Sequence, residues 1–224
     1  MIEQNEIFTE VKDNLGLWCG DDCSGADLAA AAGVAITNQL HAVVVAPTEI
    51  EQLWAWLENT NVKIFSRFYI KSDIDDAFMS DFATRVNASF RAGADGAIVF
   101  MRVRDLDKFA SEMSFVRDDL FFNKTLSVGL DINEIDVADW ARVFETMRTL
   151  RADSLTLFLS DDDGDKSDFV GRVYSMMDTD MGDWHGALYF VSGENIARID
   201  QFYRLVGQMR PNMLSKMLFL VNNG

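Results

Sequence analysis

The chain has 224 residues, 49% hydrophobic and 25% charged, which suffices for a large buried core and is ordinary for a globular protein. Its net charge of −16 is not ordinary: such a field repels phosphate backbones and anionic membrane surfaces, which argues against general nucleic-acid binding. No apolar run approaches the ~20 residues that a bilayer crossing needs. The opening MIEQNEIFTEVKDN lacks a basic segment followed by an apolar one, so a cytoplasmic protein is expected.

Short apolar runs recur along the chain, each separated from the next by a helix-period segment. They are LGLWC (15–19), HAVVVAP (41–47), VKIFSRFYI (62–70), GAIVFMRV (96–103), TLSVGLDI (125–132), SLTLFLS (154–160), ALYFVSG (187–193) and MLFLVNN (217–223). They are nearly continuous in apolar residues rather than alternating, as strands buried on both faces are. Eight such βα units predict an α/β fold, a (β/α)8 TIM barrel. With two prolines and no Ser/Gly-rich stretch there is no linker, so residues 1–224 are expected to form one domain.

The first strand runs into CGDDC. Cys19 and Cys23 are too few for a disulfide framework or a Cys-only zinc site, and two free thiols is the plainer reading beside metal or redox use. TEIEQLW carries a capping-box pattern, Thr48 with Glu51. Trp54 and Trp56 are two residues apart on that helix and cannot both face the barrel, so one outward tryptophan hints at a subunit contact. Further stripes are Phe78, Phe82 and Val86; Val137, Trp140, Ala141 and Phe144; and Ile196, Ile199, Tyr203 and Val206. No helical segment follows the eighth run, so the last outer helix is expected to be missing. The amphipathic piece with Ile7, Phe8 and Val11, or a partner subunit, would cover that gap, and a homodimer is expected.

In such a barrel the chemistry sits at the C-terminal ends of the strands. That rule sets aside His41 and His185, which fall at or before strand beginnings. The expected mouth holds Asp21 and Asp22, then Ser66, Arg67 and Tyr69, then Arg102 and Arg104, then Asp131 and Asn133. Asp161 to Asp165 follow strand six, Ser192 to Asn195 follow strand seven, and Asn222 and Asn223 end strand eight. Clustered carboxylates would raise one another's pKa or recruit a divalent cation, and Arg67 or Arg102 could hold a carboxylate or phosphate.

The acidic run DDDGD invites a calcium-loop reading, but the spacing fails. With Asp161, Asp163 and Asp165 at the first three ligand positions, Lys166 stands where glycine is needed and Arg172 where a bidentate glutamate is needed. Capping of the following helix is the preferred reading, because acidic groups suit a helix start without further cause. No dinucleotide-binding glycine motif, P-loop or nucleophile elbow occurs.

Along almost its whole length the order of segments resembles the deoxyribose-phosphate aldolase family of class I aldolases. The resemblance rests on DDCSGADLAAAAGVAITNQLHAVVVAPTEIEQLWAWLENTNVKIFSRF, FATRVNASFRAGADGAIVFM, VFETMRTLRADSLTLFLS, LYFVSGENI and LFLVNNG. It implies a TIM barrel and, for the family, a Schiff-base lysine on strand six. Laid on this chain, that lysine position falls at Thr156, the second lysine at Phe190 and the strand-four aspartate near Ile98. The phosphate-binding turns survive in part as Ser192-Gly193 and Asn223-Gly224.

Two functional expectations follow. One is an aldolase-like barrel that has lost Schiff-base chemistry and binds a small metabolite, with Phe190 partly filling the ancestral pocket. The other is a lyase- or isomerase-type enzyme acting on a small polar or phosphorylated metabolite. There Asp131 or Asp161 would be the general base, Arg67 and Arg102 would hold an anionic group, and Ser192, Gly193 and Asn223 would line the substrate. No cofactor is required in either, and a divalent metal is optional.

Overall fold

Residues 10–20, 23–159, 166–193 and 196–222 are described in the computed structural model. Eight strands, β1 (Leu15–Trp18), β2 (Ala42–Val45), β3 (Lys63–Tyr69), β4 (Gly96–Phe100), β5 (Thr125–Asp131), β6 (Ser154–Phe158), β7 (Ala187–Gly193) and β8 (Met217–Asn222), pair in parallel in chain order. β8 closes on β1 through Leu15–Phe219 to Trp18–Asn222, so the sheet is a closed (β/α)8 barrel. Each apolar run expected from the sequence contains a strand, shorter than the run at one or both ends in most cases, and several of the trimmed residues, Val62, Ile70, Met101 and Ile132 among them, stay buried. The chain is buried on both strand faces because one face fills the barrel and the other meets the helices.

The helices between strands are α1 (Gly25–Thr37), α2 (Ile50–Leu57), α3 (Asp76–Arg91), α4 (Leu106–Ser114), α5 (Arg117–Leu120), α6 (Trp140–Thr149), α7 (Lys166–Asp178) and α8 (Ile196–Met209). Among the described residues none is long and apolar enough to cross a membrane. α1 starts at a capping box: Ser24 Oγ accepts from Asp27 N at 3.3 Å while Asp27 Oδ2 accepts from Ser24 N at 2.9 Å.

The box read from Thr48 and Glu51 does not form. Pro47, whose fixed φ suits a first helical position, starts a 3-10 turn over Pro47–Glu49, and Glu49 Oε2 accepts the Ala46 N–H at 2.8 Å. A shift of the same kind affects the stripe starting at Val137. That residue sits in a 3-10 turn and is exposed, so the buried face of α6 is Trp140, Val143, Phe144 and Met147. Trp54 and Trp56 are both exposed, at 42% and 39%, with Trp54 lying over Gly93.

Two apolar layers result. The outer one, between strands and helices, includes Val43, Val45, Phe82, Val86, Leu155, Leu157, Phe190 and Phe202. The inner one comprises Ala42, Val44, Phe65, Ile98, Phe100, Tyr189, Leu218 and Leu220, with Trp18, Phe158 and Val191 against it. Large inner side chains fit because glycines stand opposite them. A Cβ on Gly96 would lie 2.7 Å from the Phe65 ring, and one on Gly129 would lie 2.3 Å from Phe100.

Candidate functional site

The C-terminal rim of the barrel is floored by aromatic rings rather than by polar side chains. Phe100, at the end of β4, is the hub: Trp18 of β1 meets it edge-on at 5.4 Å and Phe158 of β6 at 5.3 Å between ring centroids. Tyr69, at the end of β3, stacks on it at 5.2 Å with 26° between planes. Edge-to-face and offset contacts of this kind are the favoured aromatic geometries. Phe100 is buried, Trp18 and Phe158 are half-buried, and Tyr69 is 40% exposed, so the cluster presents an apolar floor with an open edge.

The polar residues expected at the mouth are arranged around that floor. Arg67 is 2% exposed and its guanidinium lies under Trp18, 5.3 Å from the ring centroid. It donates through Nη1 to the Cys19 carbonyl and through Nη2 to the Gly20 carbonyl at 2.9 Å, which ties β3 to the loop after β1. Arg102 sits half-exposed one residue beyond Met101 and donates to Asp105 Oδ2 at 2.7 Å, so part of its charge is already matched. Asp131, 7% exposed at the end of β5, accepts the Asn133 N–H at 2.9 Å through Oδ1. Its Oδ2 makes no hydrogen bond among the described residues.

Ser192 is buried at the end of β7, where the pairing with β8 shifts register between Val191 and Gly193. Asp161 and Asn223, with Asp21, Asp22, Glu194 and Asn195, lie outside the described residues. Two residues not assigned to the mouth from the sequence also shape the rim. Glu134 Oε2 accepts the Val103 N–H at 3.2 Å, and Arg172 donates to the Ile135 carbonyl at 2.7 Å, holding the turn that follows Asp131. Neither carries a local sequence signal, because each contact bridges segments about 30 or more residues apart.

The three positions aligned with family site residues fall in different layers. Thr156 faces the barrel interior, fully buried, with its hydroxyl 2.6 Å from Ser127 Oγ. Ile98 also faces inward. Phe190 does not: it points outward, stacked on Phe202 at 4.7 Å and beside Phe169 at 5.7 Å, so it cannot fill an ancestral pocket. The inward side chains of β7 are Tyr189 and Val191.

The lysines whose side chains are described all lie off the interior. Lys63 pairs with Asp95 at 3.5 Å, Lys124 donates to the Ala94 carbonyl at 2.6 Å and Lys216 to the His185 carbonyl at 3.0 Å. Lys108 is exposed on α4, and exposed Lys71, just past β3, has its Nζ 5.5 Å from the Tyr69 ring centroid. Among the described residues no group of three or more His, Cys, Asp or Glu could hold a metal ion.

A cavity of about 420 Å³ opens at the other end of the barrel, lined by Arg148, Arg151, Asp153, Trp184 and His185. Its polar groups are largely committed: Arg151 pairs with Asp118 at 2.8 Å, Arg117 with Asp153 at 3.0 Å, and Trp184 Nε1 donates to the Ala152 carbonyl.

No family model and no curated protein sequence matches the chain. Solved structures do match. A candidate deoxyribose-phosphate aldolase from Toxoplasma gondii ME49 aligns with a TM-score of 0.71 at 13% identity, over 96% of this chain and 89% of its own. The tetrameric deoxyribose phosphate aldolase from Aeropyrum pernix aligns at 0.69 and 15% identity, over 95% and 86%. A candidate copper homeostasis protein, CutC from Streptococcus agalactiae, aligns at 0.68 and 7% identity, over 93% and 98%. At these identities the likeness is one of fold: the chain is a TIM barrel of the kind seen in aldolases.

Proposed function

We propose that this chain is an aldolase-like barrel that has given up Schiff-base chemistry and binds a small metabolite at its mouth. The carrying observation is the aromatic floor: Trp18, Phe100 and Phe158 pack ring against ring at the inner side of the rim, with Phe158 two residues beyond Thr156 on β6, and leave it apolar. Supporting it, Thr156 spends its hydroxyl on Ser127 inside the barrel, where no described lysine reaches. A Schiff base needs a desolvated amine with a lowered pKa, whereas Lys71 is exposed to water. The exposed Trp54 and Trp56 and the tetrameric Aeropyrum pernix protein favour a homo-oligomer, and we place it in the cytoplasm.

Borohydride reduction in the presence of a panel of small aldehydes tests the loss. The expected result is no covalent adduct on a single lysine by intact mass. A stoichiometric adduct on Lys71 or any other single lysine overturns the proposal. A metabolite thermal-shift screen then tests binding, since a ligand at 100 times its Kd stabilises by ~2.7 kcal/mol.

A second reading is favoured by one observation, the unpartnered Oδ2 of Asp131 at the rim. In it the barrel is a lyase- or isomerase-type enzyme in which Asp131 or Asp161 removes a proton. Arg67 and Arg102 would hold an anionic group, and Ser192, Gly193 and Asn223 would offer hydrogen bonds, with or without a divalent metal. Asp131→Asn and Arg102→Ala should then abolish turnover of a substrate found by screening while leaving the melting temperature within a few degrees of wild type. Unchanged turnover in both variants and in the double variant Asp131→Asn/Asp161→Asn rules it out.

A further inference from the structure

The inward positions of β5 run through Ser127, Gly129 and Asp131. Ser127 Oγ meets Thr156 Oγ1 inside the barrel, and a Cβ on Gly129 would meet the Phe100 ring. Strand alternation then turns the Asp131 side chain inward too, two residues above the level of Phe100, which pairs with Gly129. The register partner of Asp131 on β6 is Phe158, whose ring packs on Phe100 at 5.3 Å between centroids. The carboxylate therefore stands at the edge of the aromatic floor that Trp18 and Tyr69 complete.

The charged groups around this floor differ in what they have left to bind. Arg67 lies under Trp18 and donates to the Cys19 and Gly20 carbonyls, and Arg102 pairs with Asp105 at 2.7 Å. Glu134 accepts the Val103 N–H at 3.2 Å. Asp131 is 7% exposed, gives one oxygen to the Asn133 N–H, and has no hydrogen bond to Oδ2 among the described residues. A carboxylate withdrawn this far from water with an unmatched oxygen calls for a cation or a donor. The floor's rings already receive one: the Lys71 ammonium stands 5.5 Å from the Tyr69 ring centroid.

We propose that the barrel mouth binds a small methylated ammonium ion, held against the aromatic floor and facing Oδ2 of Asp131. The proposal rests on reading the mouth as a metabolite-binding site, and it names the class of metabolite. A primary ammonium brings three N–H donors, which ring faces satisfy poorly. A methylated ammonium spreads its charge over methyl groups that pack on rings, and it needs one counter-charge. The net charge of −16 works in the same direction, because it concentrates cations near the protein and repels phosphorylated ligands.

The test is calorimetric titration of the full-length protein with choline, with its uncharged carbon isostere dimethylbutanol, and with inorganic phosphate. Physiological salt screens attraction to the acidic surface at large. The expected result is one choline per chain, dimethylbutanol bound about tenfold more weakly, and no phosphate. Nuclear Overhauser contacts should join the choline methyls to ring protons of Trp18 or Phe158. Asp131→Asn, which keeps the shape, should weaken choline about tenfold and leave dimethylbutanol unchanged. Phe158→Leu should weaken both.

The proposal is overturned by absence of choline binding, by equal affinity for choline and dimethylbutanol, by absence of the ring contacts, or by unchanged choline affinity in a folded Asp131→Asn. Phosphate bound in place of choline also overturns it, while leaving the mouth a metabolite site. A lysine adduct after borohydride reduction overturns the loss of Schiff-base chemistry and does not alter these titrations. The comparison of choline with dimethylbutanol uses the wild-type chain, so it decides even where a variant fails to fold.

Discussion

Phe100 and Gly129 are opposed across β4 and β5 so closely that a Cβ at residue 129 would sit 2.3 Å from the Phe100 ring. The glycine is what lets the hub of the aromatic floor lie flat at the mouth. Gly129→Ala should therefore displace Phe100 and cost about 1–3 kcal/mol by overpacking. For a chain of this size each kcal/mol lowers the melting temperature by roughly 2–4 °C. Calorimetry checks the first effect, and near-ultraviolet circular dichroism the loss of fixed Trp18 and Phe158 packing. An unchanged spectrum and melting point would mean the ring has room the geometry denies.

Ser127 and Thr156 share the buried hydroxyl contact inside the barrel, and their substitutions should be unequal. In Thr156→Val, Ser127 can still donate to the Ser154 carbonyl at 3.3 Å, so the loss should be about 0.5–1.5 kcal/mol. In Ser127→Ala the Thr156 hydroxyl is left buried without its partner, which should cost about 1–3 kcal/mol. The double substitution should be less damaging than the sum, because no orphan remains. Additive denaturation energies would show that the hydroxyls do not depend on each other.

The barrel itself was written plainly in the residues. Eight apolar runs at βα spacing became eight strands, because burial on both faces demands continuous apolar sequence. The same continuity hides which face a residue takes: nothing in LYFVS says that Phe190 points to Phe202 while Tyr189 and Val191 point inward. Arg67 illustrates a second limit. A sequence shows an arginine at a strand end, but whether its fork meets a ligand or two backbone carbonyls depends on a loop nearly fifty residues away. The aromatic floor was legible only in part, since Trp18, Tyr69, Phe100 and Phe158 come from four separate strands and only closure of the barrel brings them together.

Alkaline stability should be shaped by two buried acids. Burial raises the Tyr189 phenol above its ordinary value and pushes the Cys19 thiol up to about 12 from 9.0. In the unfolded chain these groups ionise at ordinary pH values, while in the barrel they keep their protons. Their contribution is fully present below about pH 9 and is lost as pH rises through the folded-state values, by up to ~1.4 kcal/mol per pH unit for each group. Under reducing conditions Tyr189→Phe should flatten the slope above pH 10, and Cys19→Ala the slope above pH 9. Parallel wild-type and variant curves from pH 8 to 11 would refute the assignment.

Arg67 supplies the sharpest distinction between a structural and a ligand-binding role at the mouth. Its described hydrogen bonds go to the Cys19 and Gly20 carbonyls and its plane lies under Trp18, so removing it should leave buried acceptors and a void. Arg67→Ala should cost about 2–4 kcal/mol, and Arg67→Lys should recover less than half of that, because a point charge cannot reproduce the two-pronged hold or the stacking. Arg102→Ala offers the contrast, since a half-exposed pair with Asp105 should be worth at most about 1 kcal/mol. If Arg67→Ala instead kept full stability while abolishing binding of an anionic ligand, the guanidinium would be a free anion-binding group and not the clamp between β3 and the loop after β1.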